Sequence, residues 1–240
     1  MGVESGATSV EVGKLSLNVK KKTASKSQRN QKLLPPSTIT DSPQSNWTIE
    51  ESEALYRIEG WGQPYFSINA AGHVTVSPKG ERGGSLDLYE LVKALKLRNL
   101  GLPLLIRFSD ILEDRIERLN ACFAKAIARY NYGGVYQGVF PVKCNQQRHL
   151  IEDLVRFGKP HQFGLEAGSK PELMIALALL DTPGALLICN GYKDREYIET
   201  AMLAQRLGQT PILVLEQIEE VDLVIEVSHQ LNIKPILGIR

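Results

Sequence analysis

The residue of this sequence best suited to covalent chemistry is Lys143. It follows the apolar run VFPV at 139–142, which has the composition of a buried β-strand. Alternation along that strand places Lys143 on the opposite face from Cys144, so we expect Cys144 to face the helix layer if Lys143 faces the interior. A desolvated lysine can lose its proton and form a Schiff base with a carbonyl group. The alternative is a lysine that extends from the strand end into solvent.

Polar residues also follow other apolar runs of the chain. Such residues recurring at one end of parallel strands are typical of a site built from several loops. They are Glu166 and Ser169, the run 189–194, Glu216 and Arg240.

Each of these polar residues has a structural alternative. Ser169 fits equally well as the N-cap of a helix with Pro171 at its first position. Glu166 and Arg240 could form an ion pair across the mouth of the site. The remaining candidates are better explained as packing residues or as surface and capping residues, because no base partner lies nearby in sequence. They are Cys144 and Cys189 for packing, and His149 and His161 for the surface or caps.

Short apolar runs alternate with helical patterns from about residue 101 onwards. Predicted strands cover 103–108, 138–143, 163–167, 185–190, 212–216 and 235–240, with helices at 111–130, 149–157, 171–180, 195–207 and 218–231. This α/β pattern predicts a parallel sheet, either a (β/α)8 barrel or an open doubly wound sheet. No strand is followed by G-x-G-x-x-G, which favours the barrel. We expect a TIM barrel truncated after about six strands, the N-terminal piece of a longer protein.

The first hundred residues divide into two segments. Residues 1–46 are rich in Ser, Thr, Lys and Gln and predict a disordered basic tail, with a nucleic-acid arm or a transit peptide as alternatives. Residues 47–100 predict a segment that precedes the barrel. It contains a helix capped by Thr48 and Glu51, a β-hairpin with strands at 65–69 and 73–77, and a helix within 86–98.

The composition excludes several classes of protein. With 28 basic and 27 acidic residues in 240, the net charge of +1 provides no global field for nucleic acid or an anionic membrane. The three cysteines are far apart and lack metal-ligand spacing, so neither a disulfide framework nor a zinc site is expected. No apolar run approaches the roughly 20 residues of a membrane helix. We expect a cytoplasmic protein.

Four stretches, in their order and spacing, resemble the biosynthetic arginine decarboxylases. They are FPVKCNQQRHLIEDLVRFG, FGLEAGSKPELM, LLICNGYKDREYI and PILGIR. The preceding YRIEGWGQPYFSINAAGHVTV is similar to the opening segment of that family, so the resemblance covers about residues 47–240. These enzymes belong to the alanine-racemase-like, fold-type III decarboxylases that use pyridoxal 5'-phosphate.

The resemblance implies a reaction and roles for individual residues. Lys143 matches the lysine that forms the internal aldimine with pyridoxal phosphate. Glu166 and Ser169 fall in a motif that lines the cofactor site, and Arg240 ends a strand that faces the cofactor. The implied reaction is decarboxylation of L-arginine to agmatine and CO2, a step in polyamine and spermidine biosynthesis. Family members are also similar in requiring Mg2+ and in forming homo-oligomers whose sites draw on two subunits.

Other functions remain open at this point. They are a pyridoxal-phosphate-binding homeostasis barrel, a cofactor-free Schiff-base aldolase, and a decarboxylase of ornithine, lysine or diaminopimelate. The segment at 47–98 argues against a minimal carrier barrel. The family's phosphate loop, pyridine-nitrogen partner, substrate-binding acids and proton donor would lie beyond residue 240. We therefore expect these 240 residues alone to be inactive, and no magnesium ligand is assigned.

Overall fold

Residues 8–12, 15–19 and 47–240 are described in a computed structural model. They fall into two compact units, residues 1–111 and 112–240. In the first unit, β1 (Thr8–Val12) and β2 (Leu15–Val19) pair as antiparallel strands. The disorder predicted for 1–46 therefore does not extend to these ten residues, whose alternating Val and Leu pattern suits a two-stranded ribbon. The rest of that tail lies outside the described residues.

The segment after residue 46 forms the predicted helices and hairpin. Its elements are α1 (Ile49–Tyr56), α2 (Ile58–Gly62), β3 (Phe66–Ile68), β4 (Val74–Val76), β5 (Leu86–Asp87) and α3 (Leu88–Leu97). The predicted capping box of α1 is confirmed, because the Thr48 hydroxyl accepts from the Glu51 amide and the Glu51 carboxylate accepts from the Thr48 amide. The predicted hairpin is confirmed by antiparallel pairing of β3 with β4, to which β5 adds a third strand.

The second unit contains a five-stranded parallel sheet in the order β10-β9-β8-β7-β6. The strands are β6 (Val139–Pro141), β7 (Gly164–Ala167), β8 (Leu186–Cys189), β9 (Thr210–Leu215) and β10 (Ile236–Ile239). The helices are α4 (Ser109–Tyr130), which begins just before this unit, α5 (Arg148–Gly158), α6 (Lys170–Leu179), α7 (Arg195–Leu203) and α8 (Glu219–Leu231). This alternation confirms the α/β prediction and is that of a partial (β/α)8 barrel.

One predicted strand is wrong. Residues 103–108 lie in no strand of the described chain, so the sheet has five strands rather than six. An apolar run becomes a strand only when a neighbour supplies backbone hydrogen bonds, and the described residues offer this run no such partner.

The core of the second unit lies between the sheet and its helices. All four residues of β7, which lies between β8 and β6 in the sheet, are buried. A parallel strand covered on both faces requires this continuous burial. The largest fully buried apolar side chains are Ile151, Leu165, Leu173, Leu187, Tyr197, Ile198, Met202 and Leu213. No helix of the described residues is long and apolar enough to cross a membrane.

Parallel register brings the carboxyl ends of the strands to one edge of the sheet. Pro141 lies beside Glu166, and Ala167 lies beside Cys189. The residues that follow β6, β7, β8 and β9 therefore meet along this edge.

Candidate functional site

Lys143 lies in a 3-10 turn, Val142–Cys144, directly after β6. The strand ends at Pro141, two residues before the lysine. The side chain of Lys143 is 61% exposed, and its Nζ lies 3.6 Å from Glu166 Oε1. Because strand alternation stops at Pro141, the prediction for Cys144 is wrong: that thiol is exposed and does not pack against the helices.

Glu166 is the buried carboxylate of the site. It lies in β7, and its side chain is only 7% exposed. Its Oε1 accepts a hydrogen bond of 3.0 Å from Asn190 Nδ2, and the Lys143 ammonium faces the same oxygen. Its Oε2 is buried and has no hydrogen-bond partner among the described residues. A buried carboxylate oxygen is costly to leave unpaired, so Oε2 is an acceptor available to a ligand.

Ser169 occupies the position predicted by its structural alternative. It is the N-cap of α6, and its hydroxyl accepts from the Glu172 amide at 3.4 Å. Glu172 folds back, so that its Oε2 accepts from the Gly168 amide at 2.7 Å. The other oxygen of Glu172 accepts from Gln146 Nε2 at 3.2 Å. These bonds hold the loop after β7 against the first turn of α6 and the segment after Lys143.

The loops after β7 and β8 touch through their backbones. Gly191 has a φ of +77°, and a Cβ at this position would lie 2.3 Å from the carbonyl oxygen of Gly168. Only glycine tolerates both the left-handed conformation and this approach. The contact carries the adjacent Asn190 to within hydrogen-bonding distance of Glu166.

A buried ion pair fixes the loop after β8. The Lys193 side chain is fully buried, and Glu220, in the first turn of α8, is 2% exposed. Lys193 Nζ donates to the carbonyls of Gly191 and Val214 and lies 3.3 Å from Glu220 Oε2. The Glu220 carboxylate also accepts the backbone amides of Lys193 and Glu216. Every donor of the ammonium is satisfied, as a buried charge requires.

Arg240 does not pair with Glu166. Its guanidinium lies 3.4 Å from Glu216 Oε1, and its side chain is largely exposed. The predicted Glu166–Arg240 ion pair is therefore wrong, because Glu216 follows β9, the strand adjacent to β10, whereas Glu166 lies two strands farther along the sheet. The same Glu216 oxygen accepts from the Gly191 amide at 2.8 Å, and this bond, together with Arg240, outweighs desolvation and lowers the pKa of Glu216.

Behind the site, Cys189 and Tyr197 form a neutral layer. Burial raises the pKa of the Cys189 thiol to about 12, against the opposing effect of a hydrogen bond with Tyr197. Burial also raises the pKa of the Tyr197 phenol, which donates to the carbonyl of Ala167 at 3.0 Å. Both groups remain protonated at neutral pH. Cys189 is therefore the packing residue that the sequence predicted.

We expect Cys189 to resist thiol reagents in the native protein. The thiolate is the reactive form, and a buried thiol with a raised pKa supplies little of it. Labelling with iodoacetamide at pH 8, followed by peptide mass spectrometry, should modify Cys122 and Cys144 at least about tenfold faster than Cys189. In urea the three rates should converge. A Cys189 that reacts as fast as Cys144 in the native protein would contradict its placement.

Three residues of this site had no assigned role in the sequence. Asn190 and Lys193 belong to a polar run that the sequence placed at a strand end, but nothing in that run indicates their partners. In the sequence, Glu220 is indistinguishable from any other acidic residue in the first turn of a helix. It lies 27 residues beyond Lys193, and only the packing of α8, which contacts α7, brings the two together.

Comparison with known proteins identifies the family. A family model described as "Pyridoxal-dependent decarboxylase, pyridoxal binding domain" matches residues 113–239. The chain belongs to the pyridoxal-dependent decarboxylases. The match includes all five strands of the parallel sheet, together with Lys143, Glu166 and Ser169, and it ends one residue before Arg240.

The relatives of this decarboxylase chain confirm the resemblance found in its motifs. It is 81% identical over all 240 residues to a biosynthetic arginine decarboxylase of Nostoc sp., covering 35% of that protein. It is 77% identical over 202 residues to one of Thermosynechococcus vestitus, covering 84% of this chain and 32% of the relative. The crystal structure of the Campylobacter jejuni biosynthetic arginine decarboxylase superposes with a TM-score of 0.68 at 34% identity, covering 77% of this chain and 30% of that one. The chain thus spans about a third of the length of the relatives it matches.

The described residues of this decarboxylase chain fit pyridoxal phosphate. The exposed amine of Lys143 is accessible to an aldehyde, and the buried Oε2 of Glu166 lacks a donor that a ligand could supply. They include no group of three His, Cys, Asp or Glu residues that could hold a metal ion, so no magnesium site is assigned among them. We derive no step through magnesium.

Proposed function

We propose that the full-length protein decarboxylates L-arginine to agmatine and CO2 with pyridoxal 5'-phosphate, as a step of polyamine and spermidine synthesis. The observation that carries this proposal is the Lys143 amine, which lies beside a buried carboxylate at the carboxyl edge of the sheet. The motifs around both residues belong to a chain that is 81% identical to a biosynthetic arginine decarboxylase.

In the proposed reaction, the residues of this chain bind and orient. Pyridoxal phosphate supplies the electron sink for the electrons left when CO2 departs. Lys143 holds the cofactor through its amine. Glu166 keeps a negative charge 3.6 Å from that amine and offers Oε2 as a second acceptor.

We assign the cofactor-binding roles to Lys143, Glu166, Ser169 and Arg240. Lys143 and Glu166 are in contact, and Ser169 caps the helix that begins just after Glu166. The Arg240 guanidinium is held by Glu216 at the same edge. Arg240 follows β10, and Lys143 follows β6, at the opposite end of the strand order. The assignment of Arg240 rests on the family motif.

The remaining properties of the proposal rest on the family resemblance. They are a cytoplasmic enzyme, a homo-oligomer with sites shared between subunits, and a requirement for Mg2+. We expect the isolated 240 residues to form no agmatine.

A substrate panel on the purified full-length protein tests the proposed reaction. With pyridoxal phosphate added, kcat/KM for CO2 release from L-arginine should exceed the values for ornithine, lysine and diaminopimelate by at least about a hundredfold. Agmatine should be identified as the product by mass spectrometry. A preference for another of these amino acids would reassign the substrate. Cofactor binding without decarboxylation of any of them would favour the homeostasis barrel.

A further inference from the structure

Asn190 is the neutral residue that contacts the charged pair of the site. Its Nδ2 donates to Glu166 Oε1 at 3.0 Å, the same oxygen that Lys143 Nζ approaches to 3.6 Å. An amide donor fixes the direction of the carboxylate oxygen that it bonds, and a carboxylate aimed at a lysine is the counter-charge of that lysine. Asn190 therefore acts on Lys143 through Glu166.

The position of Asn190 is set from several sides. Its backbone amide donates to the Ala167 carbonyl at 2.9 Å, and its own carbonyl oxygen lies 3.4 Å from the Tyr197 hydroxyl oxygen. The next residue, Gly191, lies against Gly168, and its carbonyl accepts from the buried Lys193 ammonium. A side chain on so constrained a backbone loses little entropy when it makes its bond.

The other titratable groups that face Glu166 leave Lys143 as its counter-charge. Glu172, from α6, is already bonded to Gly168 and Gln146. Cys189 of β8 and Tyr197 of α7 interact electrostatically with Glu166 but remain neutral thiol and phenol at neutral pH. Among the described residues, Lys143 is the cation paired with Glu166.

We propose that Asn190 is a positioning residue that holds the Glu166 carboxylate aimed at Lys143. The proposal rests on the proposed function, in which Lys143 holds the cofactor. It assigns to the CNGYKD motif a role at the lysine itself, in addition to the structural role of its Lys193.

Two replacements of Asn190 should act on Lys143 in opposite directions. Asn190→Ala removes the donor that holds Glu166 Oε1 towards Lys143, so the carboxylate can turn away and Lys143 loses its counter-charge. Asn190→Asp keeps the shape but places a second carboxylate beside Glu166. Two carboxylates this close share a proton, and above neutral pH they carry more than one negative charge between them. The ammonium form of Lys143 is then favoured further.

The test measures the reactivity of Lys143 in the cofactor-free full-length protein. Trinitrobenzenesulfonate is applied at pH 9, and the labelling rate of the Lys143 peptide is followed by mass spectrometry. Asn190→Ala should label about three to ten times faster than the unsubstituted protein, as expected when an opposite charge is lost. Asn190→Asp should label at least about twofold slower. Gln217→Ala, which removes an exposed amide in the loop after β9, should leave the rate unchanged.

The labelling rates distinguish an effect of Asn190 on Lys143 from a purely structural role of Asn190, and they do not depend on the proposed decarboxylase activity. Thermal unfolding of each variant reports folding, and a merely structural role would move both Asn190 variants in the same direction. The proposal is overturned if Asn190→Asp, which preserves the side-chain shape, labels at the unsubstituted rate, or if both variants change in one direction. The labelling needs neither cofactor nor arginine, so an inactive protein with the predicted rates would sink only the proposed function.

Discussion

Replacing Lys143 by alanine in the full-length protein is expected to lower agmatine formation by at least about a thousandfold. The amine is the group to which the cofactor is attached, and loss of a covalent catalytic residue has effects of this size or larger. The fold should be unaffected. The Lys143 side chain is 61% exposed, and it forms an ion pair with Glu166. Agmatine assay and urea unfolding of the same preparation separate the two effects.

Lys159 provides the matched control for this substitution. It is also an exposed lysine with a carboxylate partner, Asp181 at 3.2 Å, but it lies at the far end of α5 from Lys143. Lys159→Ala should retain the agmatine activity of the unsubstituted protein. Comparable activity in Lys143→Ala and Lys159→Ala would remove Lys143 from the proposed site.

Replacing Lys193 by methionine is expected to lower the free energy of unfolding by about 3–5 kcal/mol. Methionine fills a similar volume, so the main loss is the positive charge opposite Glu220. Breaking a buried pair from one side leaves an uncompensated charge, and that is its dominant cost. The carbonyls of Gly191 and Val214 also lose their donor. Urea unfolding measures the change.

Two further variants test whether the buried charge is the cause. In the double variant Lys193→Met with Glu220→Gln, neither charge remains, and the Gln oxygen can still accept a backbone amide. More than half of the lost free energy should return. Lys93→Met breaks a pair of similar length, 2.9 Å to Glu90, but both side chains are over half exposed. That change should cost less than about 0.5 kcal/mol. Equal effects of Lys93→Met and Lys193→Met would contradict the account.

The parallel architecture was predictable because local patterns specify it. Apolar runs at 163–167, 185–190 and 212–216 alternate with amphipathic helices, and each appears in the structure within a few residues of its predicted position. The run at 103–108 has the same composition but is not a strand. Strand formation depends on a neighbour, which a single run cannot specify.

The site was predictable only in part, for the same reason. Lys143 and Glu166 stand out because they are charged residues at the ends of apolar runs, and the structure brings them together. The partner of Arg240 depends on strand order, and the partner of Lys193 depends on where α8 packs. Both are long-range features. The turn that removes Lys143 from its strand arises after Pro141, where a period of two no longer holds.

Borohydride reduction shows directly whether Lys143 carries the cofactor. The full-length protein is incubated with pyridoxal phosphate, reduced with sodium borohydride and digested, and the lysine that carries the phosphopyridoxyl group is located by mass spectrometry. We expect modification of the peptide that contains Lys143, and no modification of that peptide in Lys143→Ala. Stoichiometric modification of a different lysine, with Lys143 left free, would contradict this expectation.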